Sequence, residues 1–396
     1  MVSFQELYEL VTGLIDIASG DVEAAKVLSE NSLLDKALYF IEQGSEKITK
    51  ASYLSQCLCS HRISDEEVSR CYQNIAHDKK GKVPKPKDFV KRIEHNHLKL
   101  LKHMLIVNLK ENFQLPYNES LFKVIVNLCK KYIIELLLLT SHREVCDSIL
   151  KPSIIRKLII LELAKNIEST LRKVCTSDIL KSSKLCKSDM KSLEEKIKKC
   201  EWTKNTNEYL GLVDEIINVL KSLSEFLLVK EIWKQLKDLW NQPYVEKPLK
   251  IIYNEFKKLY NIINDSIEEV MKGEEIMVSR ERVQVVKQNI KFIVDCNTPV
   301  FISFFVAYMP FYLTSPFYNY IRYRDSPEKL DMCKDEALVK IEAVKNICSK
   351  KFIGPEDVVA EETYVKEFVE NAVENLKNAI NILKEVLSSV KTLHSM

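Results

Sequence analysis

The sequence predicts an all-α protein, either an irregular multi-helix array or two packed helical bundles, with no significant β-sheet. Two observations carry this. Apolar residues recur at helical spacing almost throughout, and clean apolar/polar alternation over a strand length is hard to find. Glycine occurs 7 times in 396 residues, against an average usage near 7%. That scarcity disfavours hairpin-rich β folds and the glycine-dependent phosphate loops of α/β enzymes. Hydrophobic residues make 46% of the chain, enough for a large core. Lys+Arg 59 against Asp+Glu 56 gives a net charge of +3, so a globally basic nucleic-acid binder is not implied.

Helices are read near 4–18, 32–43, 45–60, 64–77, 87–112, 119–140, 153–174, 188–200, 207–241, 249–271, 275–295, 327–350 and 356–393. Ser64-Asp65-Glu66-Glu67 and Ser141-His142-Arg143-Glu144 have capping-box spacing, with Glu three residues after the N-cap Ser. Ser326-Pro327-Glu328 places Pro at a first helical position. Gly354-Pro355-Glu356-Asp357 ends one helix and opens another with acids at its positive end. Pro152, Pro243, Pro248 and Pro299 mark further breaks. The last helix carries a heptad frame, with Val365, Ala372, Ala379 and Val386 at a and Val369, Leu376, Leu383 and Val390 at d. Phe368, Val373, Ile380 and Leu387 widen the stripe, which predicts packing on several neighbours within the chain. A Ser- and Lys-rich stretch at 175–191 divides the chain into regions 1–175 and 192–396, or else lies within one continuous array.

Eleven cysteines are scattered singly, an odd count, and are expected to be buried thiols in a reducing compartment, cytosol first and nucleus second. Glu6, Glu9 and Asp16 interrupt any apolar leader at the start. Cys57, Cys59, His61 and Cys71 lack the pairing of a zinc site. Glu94 and His97 have Glu-x-x-His spacing without the second motif a di-iron bundle needs, so a solvated polar face is expected there. No metal or cofactor is expected.

Two stretches are candidate sites. Lys79, Lys80, Lys82, Lys85, Lys87, Lys91 and Arg92 form a basic loop that would neutralise phosphates of RNA or an anionic surface, with no aromatic residues for base stacking. From Cys296 to Ile321 there is no charged residue. Its prolines 299, 310 and 316 leave no uninterrupted apolar piece long enough for a span, so membrane insertion is not expected and a buried, broken helix is. Its aromatic side chains Phe301, Phe304, Phe305, Tyr308, Phe311 and Tyr312 are the candidate anchors for a partner, an apolar ligand or the core. A shorter apolar run, Tyr132 to Leu139, has the length of a core helix.

Phosphate loops, G-x-G-x-x-G, G-x-S-x-G, H-E-x-x-H and C-x-x-C do not occur. The sequence therefore favours a non-enzymatic scaffold or adaptor that binds protein partners within a larger intracellular assembly. Two other classes are a ribonucleoprotein-associated protein using residues 79–92, and a carrier or enzyme with an aromatic-lined cavity near 299–320.

Overall fold

The computed structural model describes residues 1–59, 64–76, 83–93, 96–110, 152–175, 184–201, 205–226, 296, 298–315 and 355–394. Helices make up 93% of what is described, and no strand occurs among the described residues. The helices read at 119–140, 249–271, 275–295 and 327–350, and the Tyr132–Leu139 run, lie outside the described residues.

Helix α1 (Phe4–Glu30) starts where the Ser3 hydroxyl accepts the Glu6 N–H at 3.1 Å. It runs twelve residues past the predicted stop, because its buried stripe of Val11, Ile15, Ala18, Val22 and Ala25 continues through Gly20. A turn with Ser32 at φ 58° leads into α2 (Leu34–Leu58). A break at 43–45 was expected there, and the helix is continuous instead. Gly44 lies close against α1: a Cβ would stand 3.0 Å from Val22 Cγ2 and 3.5 Å from the Ala18 carbonyl oxygen. The glycine marks a helix crossing, not a helix end.

Helix α3 (Asp65–Ala76) begins at the predicted box, with Glu67 N–H on Ser64 Oγ at 3.3 Å. The expected helix 87–112 is two, α4 (Pro86–Ile93) and α5 (His97–Lys110). Asn96 restarts the chain by accepting the Lys99 N–H at 2.8 Å. Then come α6 (Pro152–Cys175), α7 (Lys184–Glu201), α8 (Thr206–Phe226), α9 (Thr298–Thr314) and α10 (Pro355–His394).

The helices pack in two groups. In the first, α2 lies at the centre of α1, α9 and α10, and α1 and α9 also pack on α10. Phe4 stacks on His394 with ring centroids 3.9 Å apart, joining the start of α1 to the end of α10. In the second, α5, α6, α7 and α8 pack on one another. Of the stretch 175–191, Cys175 ends α6 and residues 184–191 open α7, two helices in mutual contact, while 176–183 lie outside the described residues. The predicted stripe of α10 is buried from Phe368 to Val390 against α1, α2 and α9, so this helix packs within the chain.

Being central, α2 holds many of its polar residues inside. Glu42, Ser45, Glu46, Thr49, Lys50, Ser52 and Ser55 are all buried. Glu46 and Lys50 form a buried ion pair one turn apart. The hydroxyls of Thr49 and Ser55 donate to the carbonyls of Ser45 and Ala51 at 2.6 and 2.8 Å, which satisfies them inside the helix.

Candidate functional site

Helix α9 carries the charge-free aromatic segment. Pro310 was expected to break it, yet the helix runs through. Pro310 has no N–H to give the Val306 carbonyl, but the helix is buried on most of its circumference, and packing outweighs one lost bond. Below the proline, the Thr314 hydroxyl donates to the Pro310 carbonyl at 2.7 Å.

The structure divides the six aromatic candidates. Phe304, Tyr308, Phe311 and Tyr312 are at most 3% exposed and are core side chains. Phe301 and Phe305, with ring centroids 4.7 Å apart, remain partly exposed, as do Ile302 and Met309. These four fall in a sector of about 100° at 3.6 residues per turn. The other residues of α9 from Pro299 to Thr314 are buried, so among the described residues α9 presents one partly exposed apolar strip. No described helix is long and apolar enough to cross a membrane.

Tyr308 and Tyr312 face the start of α5. The His97 ring lies 6.2, 5.6 and 5.6 Å from the rings of Tyr308, Phe311 and Tyr312. Of the stretch expected to be a solvated face, Glu94 lies outside the described residues and Asn96 is exposed, while His97 is half-buried, sharing its helix face with the buried Leu100, Leu101, Met104 and Leu105. Burial drives its pKa down to about 4, leaving a neutral imidazole. Its Nε2 has no hydrogen-bond partner among the described residues, and neither has the Tyr308 hydroxyl. The Tyr312 hydroxyl donates to the Leu220 carbonyl at 3.0 Å, tying α9 to α8. Burial holds both phenols well above their ordinary range, so neither supplies a base.

Of the basic candidates, Lys79, Lys80 and Lys82 lie outside the described residues. Lys85, Lys87, Lys91 and Arg92 are exposed on and beside α4. The loop before α4 is anchored by the Tyr72 hydroxyl, which donates to the Pro84 carbonyl at 2.9 Å.

The cysteines depart from expectation. Cys57 and Cys71 are joined in a disulfide that links α2 to α3, with Cα atoms 5.3 Å apart. Their separation of 14 residues carries no signature of pairing, since only the folded return of α3 along α2 brings them together. Cys59, Cys200 and Cys296 are buried thiols. Burial pushes Cys200 up to about 11, where it is protonated and a poor nucleophile at neutral pH. Nearby, the Tyr209 hydroxyl donates to the Cys200 carbonyl at 2.8 Å, and burial raises that phenol to about 12. No cluster of three metal-ligating side chains occurs among the described residues. Compared with known proteins, the chain matches no family model, no curated protein and no solved structure.

Proposed function

We propose that the protein is a non-enzymatic helical scaffold or adaptor that binds a protein partner within a larger assembly, with the open strip of α9 as its apolar seat. The observation that carries this is the division of α9. Phe304, Tyr308, Phe311 and Tyr312 are spent on the core, while Phe301, Ile302, Phe305 and Met309 stay partly accessible on a helix with no charge of its own. A row at i, i+4 and i+8 on a rigid helix is the pattern by which one helix receives another. Its rigidity keeps the ordering cost of binding low. The Cys57–Cys71 bond weighs against a reducing compartment, where such bonds are rare, so the proposal stands on partner binding and not on location.

The test places a photo-crosslinking side chain at Phe305 in the full chain in its native cells. A single stoichiometric protein adduct, lost when Phe301→Asp is added to a chain that keeps its helical circular dichroism, is the expected result. Crosslinks confined to the chain itself overturn the reading.

A second reading rests on Lys85, Lys87, Lys91 and Arg92, exposed within eight residues beside one acid, Asp88. Such a surface binds RNA phosphates without reading sequence. It predicts an affinity for single-stranded RNA that falls steeply with salt, with a shallower slope in Lys85→Glu/Lys87→Glu. An unchanged slope removes it.

A further inference from the structure

We propose that the outer face of α1 docks on the same face of a second copy of this chain, as an antiparallel helix pair about a two-fold axis. Among the described residues the exposed large apolar side chains are Met1, Ile17, Val27, Leu33 and Val83. Of these only Ile17 and Val27 lie within a helix, at 56% and 47% exposure. They belong to a row, Leu10, Gly13, Ile17, Gly20, Ala24 and Val27, whose steps alternate between three and four, the spacing by which one helix meets another. At 3.6 residues per turn the row occupies a sector of about 100°. That sector is turned away from α2, which meets α1 at Ala18 and Val22, and from α10, which meets it at Phe4 and Tyr8. Outside α1, no described atom stands within 4 Å of a Cβ built at Gly13 or Gly20. Glycine is unfavourable in a helix interior, and here it lets a second backbone come close.

A second copy fits this face because the row is complementary to its own reverse. In an antiparallel pair centred between Ala18 and Ser19, Leu10 faces Val27 of the partner, Gly13 faces Ala24, and Ile17 faces Gly20. Each central isoleucine therefore lies over a glycine, twice by symmetry. Polar Glu6 and Asn31 face each other at both ends of the row. A parallel pair sets glycine on glycine and leaves gaps instead. Charge agrees with the reversal. The edge of the face towards α10 carries Asp16 with Lys384 at 3.4 Å and Glu23 with Lys377 at 2.7 Å, all partly exposed. Reversal brings the Asp16–Lys384 pair within about 3 Å, along the axis, of the partner's Glu23–Lys377 pair. Each carboxylate then gains a second lysine, and no net like charge meets there. On the edge towards α2, Asp21 has Lys47 at 2.8 Å. Glu9 and Glu30 do meet as like charges at the ends, where Glu30 has Lys26 at 3.8 Å and salt screens the remainder. The contact runs about 26 Å along one helix. That is less than a standard interface uses, so the expected dissociation constant is micromolar.

The experiment follows the full chain by sedimentation velocity from about 1 to 100 μM. The expected result is a monomer that passes to a dimer as concentration rises. Ile17→Glu should weaken the association at least about tenfold while helical circular dichroism and melting temperature are kept, because the Ile17 side chain is exposed in the single copy. Register is read separately. Leu10→Cys and Val27→Cys are made as two proteins, mixed, oxidised and mapped by mass spectrometry. The mixture should give a peptide pair joined between positions 10 and 27, and neither protein alone should link to itself there, since like positions stand about 26 Å apart in the reversed pair. A monomer at every concentration overturns the proposal and leaves the face to a chain of different sequence. A dimer that Ile17→Glu does not weaken, or position 10 linked to position 10 and not to 27, overturns it too. Phe305 lies on α9, so the partner crosslink there is decided independently.

Discussion

Acid is the sharpest probe of the junction between the two helix groups, because the half-buried His97 ring packs there as a neutral imidazole with its Nε2 shut away from solvent. Folded, it titrates at about 4; unfolded, at its ordinary 6.5. Between those values the unfolded chain binds the extra proton, so stability falls as pH falls. The stability is complete above 6.5, declines through the window, and changes no further from this group below 4. The whole gap, from 6.5 to about 4, corresponds to roughly 3 kcal/mol. At pH 5 the unfolded ring is almost wholly protonated and the folded ring about one-tenth so, a loss of about 2 kcal/mol. The groups packed on the ring are Tyr308, Phe311 and Tyr312, and no carboxylate is among these ring partners to rescue an imidazolium. Other acids titrate in the same range, so the comparison is with His97→Phe, which keeps an aromatic ring and removes the proton. Urea unfolding followed at 222 nm at pH 7 and pH 5 should show wild type losing about 2 kcal/mol more than the variant. Parallel losses, or a His97 pKa near 6.5 by proton NMR, refute the reasoning.

The remaining predictions concern packing. Gly20→Ala meets open space and should gain about 0.5–1 kcal/mol from helix propensity, whereas Gly44→Ala pushes a methyl onto Val22 and should lose about 1 kcal/mol net. Urea midpoints of the two variants, moving in opposite directions, check this. Breaking the buried Glu46–Lys50 pair by Lys50→Met should cost about 3–5 kcal/mol, and Glu46→Leu/Lys50→Met markedly less, because the double variant strands no charge; a double-mutant cycle reads the difference. Tyr312→Phe removes the bond to the Leu220 carbonyl and should cost about 1–2 kcal/mol. Tyr308→Phe removes a hydroxyl with no partner among the described residues and should be neutral or stabilising by chemical denaturation.

Much of each helix was legible, because its signal is local. The α10 stripe, the Ser64 cap and the start at Pro355 are read from residues within one or two turns of one another. What failed was anything set by a neighbour distant in sequence. Gly44 reads as a break until α1 is seen to cross it. Pro310 reads as a stop until burial on most sides of α9 is known. The polar residues of α2 carry no sequence mark of burial, and only its central place makes them interior. Cysteine pairing likewise depends on where α3 returns. His97 was legible in principle, since its spacing from Leu101 and Met104 puts it on an apolar face. The Glu-x-x-His spacing ties it to Glu94 instead and hides that face.

The fate of the aromatic segment turns on the same distinction between composition and place. Composition marks α9 as apolar, and apolar all round means buried unless something else covers one side. Here α9 does two jobs at once. It completes the first helix group by packing on α2 and α10, and it reaches the second through Tyr312 on α8 and His97 on α5. A partner seated on Phe301, Phe305 and Met309 would therefore press on the element that both groups share. Such a partner shifts the relation between the groups only if it binds their joined and parted arrangements with different affinity. By reciprocity, protonating His97 would then change the partner's affinity by the same factor that the partner changes the proton's. Measuring partner affinity at pH 7 and pH 5 in wild type and in His97→Phe separates a passive seat from a coupled one: in the passive case the pH dependence is the same in both chains.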